Sequence, residues 1–186
     1  MTYRWVLAIC LVILIAAGVW WWHWQAPRRT FNVFIDALAK GDINRLYELM
    51  PAYERKFISI DLVRRAYYDV IKPYLLSQRR LVRIWRTASY FSEHRGTFPE
   101  LYLRHVRVVR FYLWFQDDKG DNRLTVVVVQ RPPDEEKWRV PFSTFVYNTC
   151  LILWGEKADQ IMAKMGFKMI AHMYGGPTWI LVPPTN

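Results

Sequence analysis

Residues 5–22 of this chain read WVLAICLVILIAAGVWWW, a run without a charged side chain. A helix that rises about 1.5 Å per residue would extend this run over about 27 Å, close to the roughly 30 Å hydrocarbon core of a bilayer. A core helix of a soluble protein would carry a polar stripe, and this run carries none. The sequence therefore predicts a single-pass transmembrane helix that stays attached as a signal-anchor.

Tryptophans flank the apolar run at both ends, with one at its start and four at its end. They are Trp5, Trp20, Trp21, Trp22 and Trp24. Indole rings favour the headgroup zone of a bilayer, because the apolar ring is buried there while its N–H stays hydrated. We interpret all five as membrane-interface anchors.

Two other interpretations of the N-terminal run are open. A cleaved signal peptide has a shorter apolar stretch, about 7 to 15 residues, followed by small residues rather than tryptophans. Lipid attachment at Cys10 would need a small residue before it, where Ile9 stands.

The orientation of the helix depends on the basic residues on either side of the run. Arg4 on one side nearly balances Arg28 and Arg29 on the other, and we favour a domain outside the cytoplasm.

The composition indicates one globular domain after the anchor. The 186 residues are 53% hydrophobic, 17% aromatic and 23% charged, which excludes a disordered or collagen-like chain. Two cysteines are too few for a disulfide framework. The 26 basic and 16 acidic residues leave a net charge of +10, which favours anionic surfaces as partners.

Helices are predicted first along the domain. Pro27 breaks the helical pattern, and residues 28–39 then form an amphipathic helix that Gly41 ends. Asp42 caps a second helix, which Pro51 closes. Ser59 caps a third, which Pro73 ends or kinks.

Strands are predicted from residue 81 onward, where long β-branched and aromatic runs replace the helical spacing. The strands cover 81–91, 102–115, 123–130 and 137–153, with turns at 117–122 and 132–136. Short connections of this kind imply an antiparallel meander, and Pro141 would mark an edge or a bulge in the fourth strand. A helix at 157–165, a turn at 175–177 and a strand at 179–182 complete an α+β chain.

One stretch resembles a known superfamily. Residues 34–47, FIDALAKGDINRLY, together with the Trp-Arg-Val pattern at 138–140, resemble the NTF2-like superfamily over about residues 28–153. That resemblance implies helices packed on a curved sheet, with a pocket at the open end of a cone. The division is then an anchor and linker at 1–27, an NTF2-like domain at 28–154 and a C-terminal extension at 155–186. An anchor before such a domain is similar in architecture to VirB8-like secretion components.

Site candidates are few, and none forms a catalytic signature. The chain has no phosphate-binding glycine loop, no nucleophile elbow and no closely spaced metal ligands, so we predict no catalytic, cofactor-binding or metal-binding residues. A pocket in the cone would be lined by Tyr67, His105, Tyr112 and Trp138.

Basic residues on the first two strands suggest a contact with an anionic surface, which the pairing of the two strands would assemble. These residues are Arg79, Arg80, Arg83, Arg86, Arg104, Arg107 and Arg110. A solvated basic face is the open alternative. A nucleic-acid partner is not favoured, because most of the aromatic residues occupy periodic core positions.

The sequence thus predicts a single-pass membrane protein whose domain is a non-catalytic interaction or assembly module. Its partners would be membrane lipid and a protein, either another subunit of a secretion-type or energy-transducing complex or a second copy. The alternative is a tethered ligand-binding domain, or an isomerase-like or cyclase-like enzyme, with an apolar pocket.

Overall fold

The structure is a computed structural model that describes residues 2–76, 80–86, 90–94, 104–116, 122–132, 135–173 and 176–181. Its α-helices are α1 (Thr2–Lys40), α2 (Ile43–Leu49), α3 (Ala52–Arg55), α4 (Ile60–Ala66), α5 (Phe142–Trp154) and α6 (Ala158–Met165). A π-helix (Tyr67–Leu76) continues α4, and a short 3₁₀ turn (Gly155–Lys157) precedes α6. The strands are β1 (Arg80–Arg86), β2 (Tyr90–His94), β3 (Arg104–Gln116), β4 (Asn122–Arg131), β5 (Phe167–Met173) and β6 (Gly176–Leu181).

Helix α1 runs without interruption from the apolar segment into the domain, so the predicted break at Pro27 is wrong. Pro27 lies inside the helix, although it lacks the N–H that would bond to the preceding turn. Nearby side chains bond to carbonyls around it: Arg29 donates to the oxygen of Trp22 at 3.0 Å, and Thr30 donates to the oxygen of Ala26 at 3.3 Å.

The predicted helix boundaries that follow are confirmed at three positions. Gly41 ends α1 with a φ of 69°. The side chain of Asp42 caps α2 by accepting from the N–H of Arg45 at 3.0 Å, and Ser59 caps α4 by accepting from the N–H of Leu62 at 3.3 Å. Pro73 does not end the third helix, because the chain continues through it as the π-helix.

The main sheet is antiparallel with β3 at its centre. β1 and β2 pair with successive parts of the same edge of β3, and β4 pairs with the other edge. The predicted antiparallel order of the first three strands is therefore confirmed, although the first of them is two separate strands. On β3, Val109, Phe111 and Leu113 are buried while Arg110 and Tyr112 are half-buried, so the odd-numbered positions face the core.

The predicted fourth strand at 137–153 is wrong. Arg139 makes a single antiparallel bridge with Gln130, and the chain then forms helix α5. Pro141 is the N-cap of this helix, where its missing N–H costs nothing because no intrahelical partner is available there. Cys150 consequently lies on a helix rather than on a strand, and it is fully buried.

The core lies between the second half of α1, the sheet and α5. The ring of Phe31 stacks on Phe111 with centroids 4.2 Å apart, and Phe34 meets Phe145 edge-on at 5.1 Å. The predicted C-terminal helix is confirmed as α6. The last strand is confirmed as part of β6, which pairs with β5, a strand that the sequence did not predict.

Candidate functional site

Helix α3 is only four residues long. Its first three residues each make a different long-range contact, and the fourth borders a cleft. The N–H of Ala52 donates to Glu135 at 2.8 Å, and the hydroxyl of Tyr53 accepts from the side-chain amide of Gln130 at 2.6 Å. Glu54 reaches the start of α5, whereas Arg55 turns toward the cleft described below. α3 therefore fixes the segment between β4 and α5 relative to the helices.

Glu54 is a buried carboxyl that caps α5. One of its oxygens accepts from the N–H of Phe142 at 2.8 Å, and the other accepts from the hydroxyl of Ser143. Burial raises the pKa of Glu54 to about 7, and the hydrogen bonds from Ser143 and Phe142 lower it in part. Pro141 has no side chain that can cap a helix, so α5 takes its cap from a residue 88 positions earlier in the chain.

Arg139 closes the end of α2. Its guanidinium donates to the carbonyl of Glu48 at 2.9 Å and pairs with the carboxylate of Glu135, while the N–H of Val140 donates to the carbonyl of Leu49 at 2.9 Å. The last carbonyls of a helix have no intrahelical donor. Here Arg139 and Val140, which follow β4, donate to two of them. These contacts hold Arg139 against α2.

A cleft of about 540 Å³ lies between α1, α2, Arg55 and the segment after β4. Five cationic side chains line it against two carboxylates. The cations are Arg29, Arg45, Arg55, Lys137 and Arg139, and the carboxylates are Glu48 and Glu136. Arg45 pairs with Glu48 at 2.7 Å, and Arg139 pairs with Glu135. Three cations, Arg29, Arg55 and Lys137, then remain against Glu136, so the cleft is electropositive.

One cation of the cleft keeps an unused buried donor. The Nε atom of Arg55 is buried and has no hydrogen-bond partner among the described residues. The carbonyl of Arg55, by contrast, accepts from the hydroxyl of Tyr47 at 3.3 Å, which fixes the backbone at this position. A buried N–H without an acceptor costs about 1 to 3 kcal/mol, more when it is charged.

The cleft begins directly after the last tryptophan of α1. Ala26, Arg29 and Thr30 form its wall on that helix. Trp24 is therefore separated from Thr30 by about 9 Å along the helix axis. The guanidinium of Arg29 also stacks 3.7 Å above the ring centre of Trp22, so it reaches back toward the tryptophan cluster.

The four predicted pocket residues lie on three different parts of the fold. Tyr67 is buried, and its hydroxyl donates to the carbonyl of Leu38 at 2.9 Å. Tyr112 lies on the half-buried, even-numbered face of β3, and His105 lies opposite Glu93 of β2. Trp138 borders the cleft, and a common apolar pocket lined by all four residues stays a prediction.

The predicted arginine cluster is divided by the register of the strands. β1 and β3 do pair, but Arg80, Arg83 and Arg86 lie opposite Gln116, Trp114 and Phe111. Arg104 and Arg107 lie farther along β3, opposite His94 and Phe91 of β2. Arg110 is half-buried opposite Val128 of β4, and Arg79 lies outside the described residues.

All five predicted interface tryptophans lie on α1 and are exposed, Trp5 by 72% and Trp24 by 42%. Trp20 and Trp24 stack with ring centroids 5.8 Å apart. The described part of the chain contains one helix that is long and apolar enough to cross a membrane, and no residue of its most apolar 18-residue window is buried. Cys10 is exposed on the same helix.

Other chemistry is sparse in the described residues. They contain no group of three or more His, Cys, Asp or Glu side chains that could hold a metal ion. Burial raises the pKa of the Cys150 thiol to about 12, which makes it unreactive. Comparison with family models, curated proteins and solved structures finds no match to this chain.

The cleft cations escaped the sequence analysis because they come from four separate segments. Arg45 and Arg55 lie on helices, while Lys137 and Arg139 follow the main sheet. Lys137 is 92 positions after Arg45 in the chain. Of these five cations, only Arg29 was identified from the sequence, as a basic residue that flanks the apolar run. A usable signal was the Trp-Arg-Val pattern at 138–140, whose arginine lies between two apolar residues.

Proposed function

We propose that this chain is a single-pass membrane protein that holds an interaction module against the bilayer surface. The observation that carries the proposal is the exposure of α1: residues 5–24 are all exposed, although most of them are apolar. Exposed apolar surface of this extent is unstable in water and is stable in lipid. The tryptophans at both ends suit the two interfaces.

An exposed apolar patch supports an interaction role for the domain. Tyr74 and Leu151 are each 41% exposed, and the ring of Tyr74 meets Trp154 edge-on at 5.1 Å. Leu151 and Trp154 are three positions apart on α5, so they share one face of that helix. We propose that this patch contacts a protein partner, either another subunit of a membrane complex or a second copy of the chain.

The alternative, an apolar-ligand site or an isomerase-like enzyme, has less support. The cleft is lined mainly by charged side chains, whereas a site for an apolar ligand would be lined by hydrophobic and aromatic ones. Glu54 has the raised pKa expected of a general acid or base, but both of its oxygens are occupied by the cap of α5. The NTF2-like and VirB8-like relationships stay predictions.

Membrane integration is tested by alkaline carbonate extraction of membranes that contain the full chain. We expect the protein to remain in the pellet. The variant Leu14→Arg places a charge at the centre of the apolar run, which costs about 2.5 to 3.5 kcal/mol of insertion, and should shift much of the protein to the supernatant. Leu14→Ala is the matched control and should stay in the pellet. Quantitative release of the unaltered chain would contradict the proposal.

The partner surface is tested by placing a photoreactive amino acid at position 151 of the full chain in native membranes. Irradiation should give a crosslinked product whose mass separates a second copy from another protein. The control carries the same group at Lys164, an exposed position on α6, and should give no product. The proposed patch is wrong if position 151 gives none and the solubilised protein is strictly monomeric.

A further inference from the structure

We propose that the cleft between α1, α2 and the segment after β4 binds the phosphate group of an anionic lipid. Its cations, Arg29, Arg45, Arg55, Lys137 and Arg139, come from separate elements and surround one opening of about 540 Å³. Guanidinium and ammonium groups that line one opening are the recognition chemistry of a phosphate. The choice of a lipid over a soluble phosphate rests on the membrane anchoring proposed above.

The cleft is assembled before any ligand arrives. Arg139 is held by Glu135 and by the carbonyl of Glu48, and Arg45 is held by the carboxylate of Glu48 at 2.7 Å. Two of the cations are therefore fixed in place by partners within the fold. A site whose side chains are already ordered loses less entropy when it binds a ligand.

Two other cations are suited to direct contact with a ligand. Arg55 lines the cleft, and its Nε atom has no acceptor among the described residues, so its guanidinium is available to a phosphate at the opening. Lys137 is exposed at the edge of the cleft, where its ammonium group is free to approach a charged oxygen. These two residues are accordingly the informative positions for substitution.

The position of the cleft along α1 favours a lipid headgroup. Ala26 and Thr30 lie about 3 and 9 Å beyond Trp24 along the helix axis. The headgroup layer on each side of a bilayer is about 5 to 8 Å thick, and interfacial tryptophans lie within it. With the tryptophan cluster at the interface, the end of the cleft at Ala26 lies at the depth of the lipid phosphates.

The test measures binding of short-chain lipids to the full chain in a neutral detergent, with native mass spectrometry or thermophoresis as the readout. The probes are dioctanoyl phosphatidic acid, dioctanoyl phosphatidylcholine and glycerol 3-phosphate. We expect phosphatidic acid to bind with a stoichiometry of one and at least fivefold more tightly than phosphatidylcholine. Arg55→Gln and Lys137→Gln should each weaken its binding about fivefold, the factor expected for one basic residue near a headgroup.

Lys164→Gln is the matched control, because it removes the same charge from an exposed position outside the cleft; its effect should stay below twofold. Lys137 is exposed, so Lys137→Gln tests the site even if Arg55→Gln lowers stability. Equal binding of glycerol 3-phosphate and phosphatidic acid, with the same sensitivity to Lys137→Gln, would support a phosphate site and assign it a soluble ligand.

The proposal is overturned if neither cleft variant weakens binding by more than twofold, or if Lys164→Gln weakens it as much as Lys137→Gln. Because the measurement is made in detergent, it is independent of membrane integration. Failure of carbonate retention would remove the proposed anchor without removing the phosphate site, so the two failures are distinguishable.

Discussion

Glu54 links the helical half of the domain to α5, and its burial makes this link sensitive to pH. Its pKa is raised from 4.5 to about 7 in the fold, so folding favours the protonated form. The stabilisation is complete below about pH 4.5 and is lost as the pH rises through 7. The loss attributable to this group is at most about 3 kcal/mol.

We therefore expect the stability difference between the unaltered chain and Glu54→Gln to change by up to about 3 kcal/mol between pH 4.5 and 7.5, because glutamine stays neutral throughout. Denaturant unfolding of the detergent-solubilised chain at several pH values measures it. A difference between the unaltered chain and Glu54→Gln that does not vary with pH would contradict the burial argument.

Gly41 is the residue that allows α1 and α2 to meet at a sharp turn. Its φ is 69°, and an added Cβ would lie 3.1 Å from the hydroxyl oxygen of Tyr67, which is fixed by its bond to Leu38. We expect Gly41→Ala to destabilise the domain by at least about 1 to 2 kcal/mol, the cost of a left-handed conformation. Gly18→Ala has no neighbouring atom within 4 Å and should not destabilise. Thermal unfolding compares them, and equal stability would contradict the prediction.

At the scale of elements, the sequence predicted what local chemistry determines. Gly41, Asp42 and Ser59 act through their own backbone or the next turn, so their caps could be predicted. Helix α5 could not, because its β-branched and aromatic residues resemble a strand and its cap comes from distant Glu54. The cleft was missed for the same reason, since its cations meet only after the chain has folded.

Helix α1 continues through Pro27, so its two halves should keep a fixed distance from each other. We expect spin labels at Val19 and Ala39, both exposed, to give a narrow distance distribution centred near 30 Å, the rise of 20 helical residues. Substituting Cys10 with Ser leaves the labelled pair as the only exposed thiols in the described residues. Pulsed electron paramagnetic resonance in lipid nanodiscs measures the distance. A broad distribution with a shorter mean would instead place a hinge at Pro27.

At the scale of the whole molecule, one helix serves two environments. Residues 5–24 of α1 are exposed, whereas Phe31, Phe34, Ala37 and Leu38 of the same helix are buried in the domain core. The anchor and the domain therefore share an element without sharing a core. The net charge of +10 lies mainly outside the apolar run, which adds a general attraction between the domain and anionic lipids.

This division predicts where the chain can be shortened. A chain that begins at Pro27 keeps every core residue of α1, so we expect it to fold, remain soluble and unfold cooperatively in circular dichroism. A chain that begins at Ala39 loses the stacking of Phe31 on Phe111 and the contact of Phe34 with Phe145. Removing one such aromatic side chain typically costs about 3 to 5 kcal/mol, and whole domains are stable by only about 5 to 15, so this chain should not fold. If the chain that begins at Pro27 also failed to fold, the domain would depend on the anchor or on a partner surface, and the separation of the two environments along α1 would be wrong.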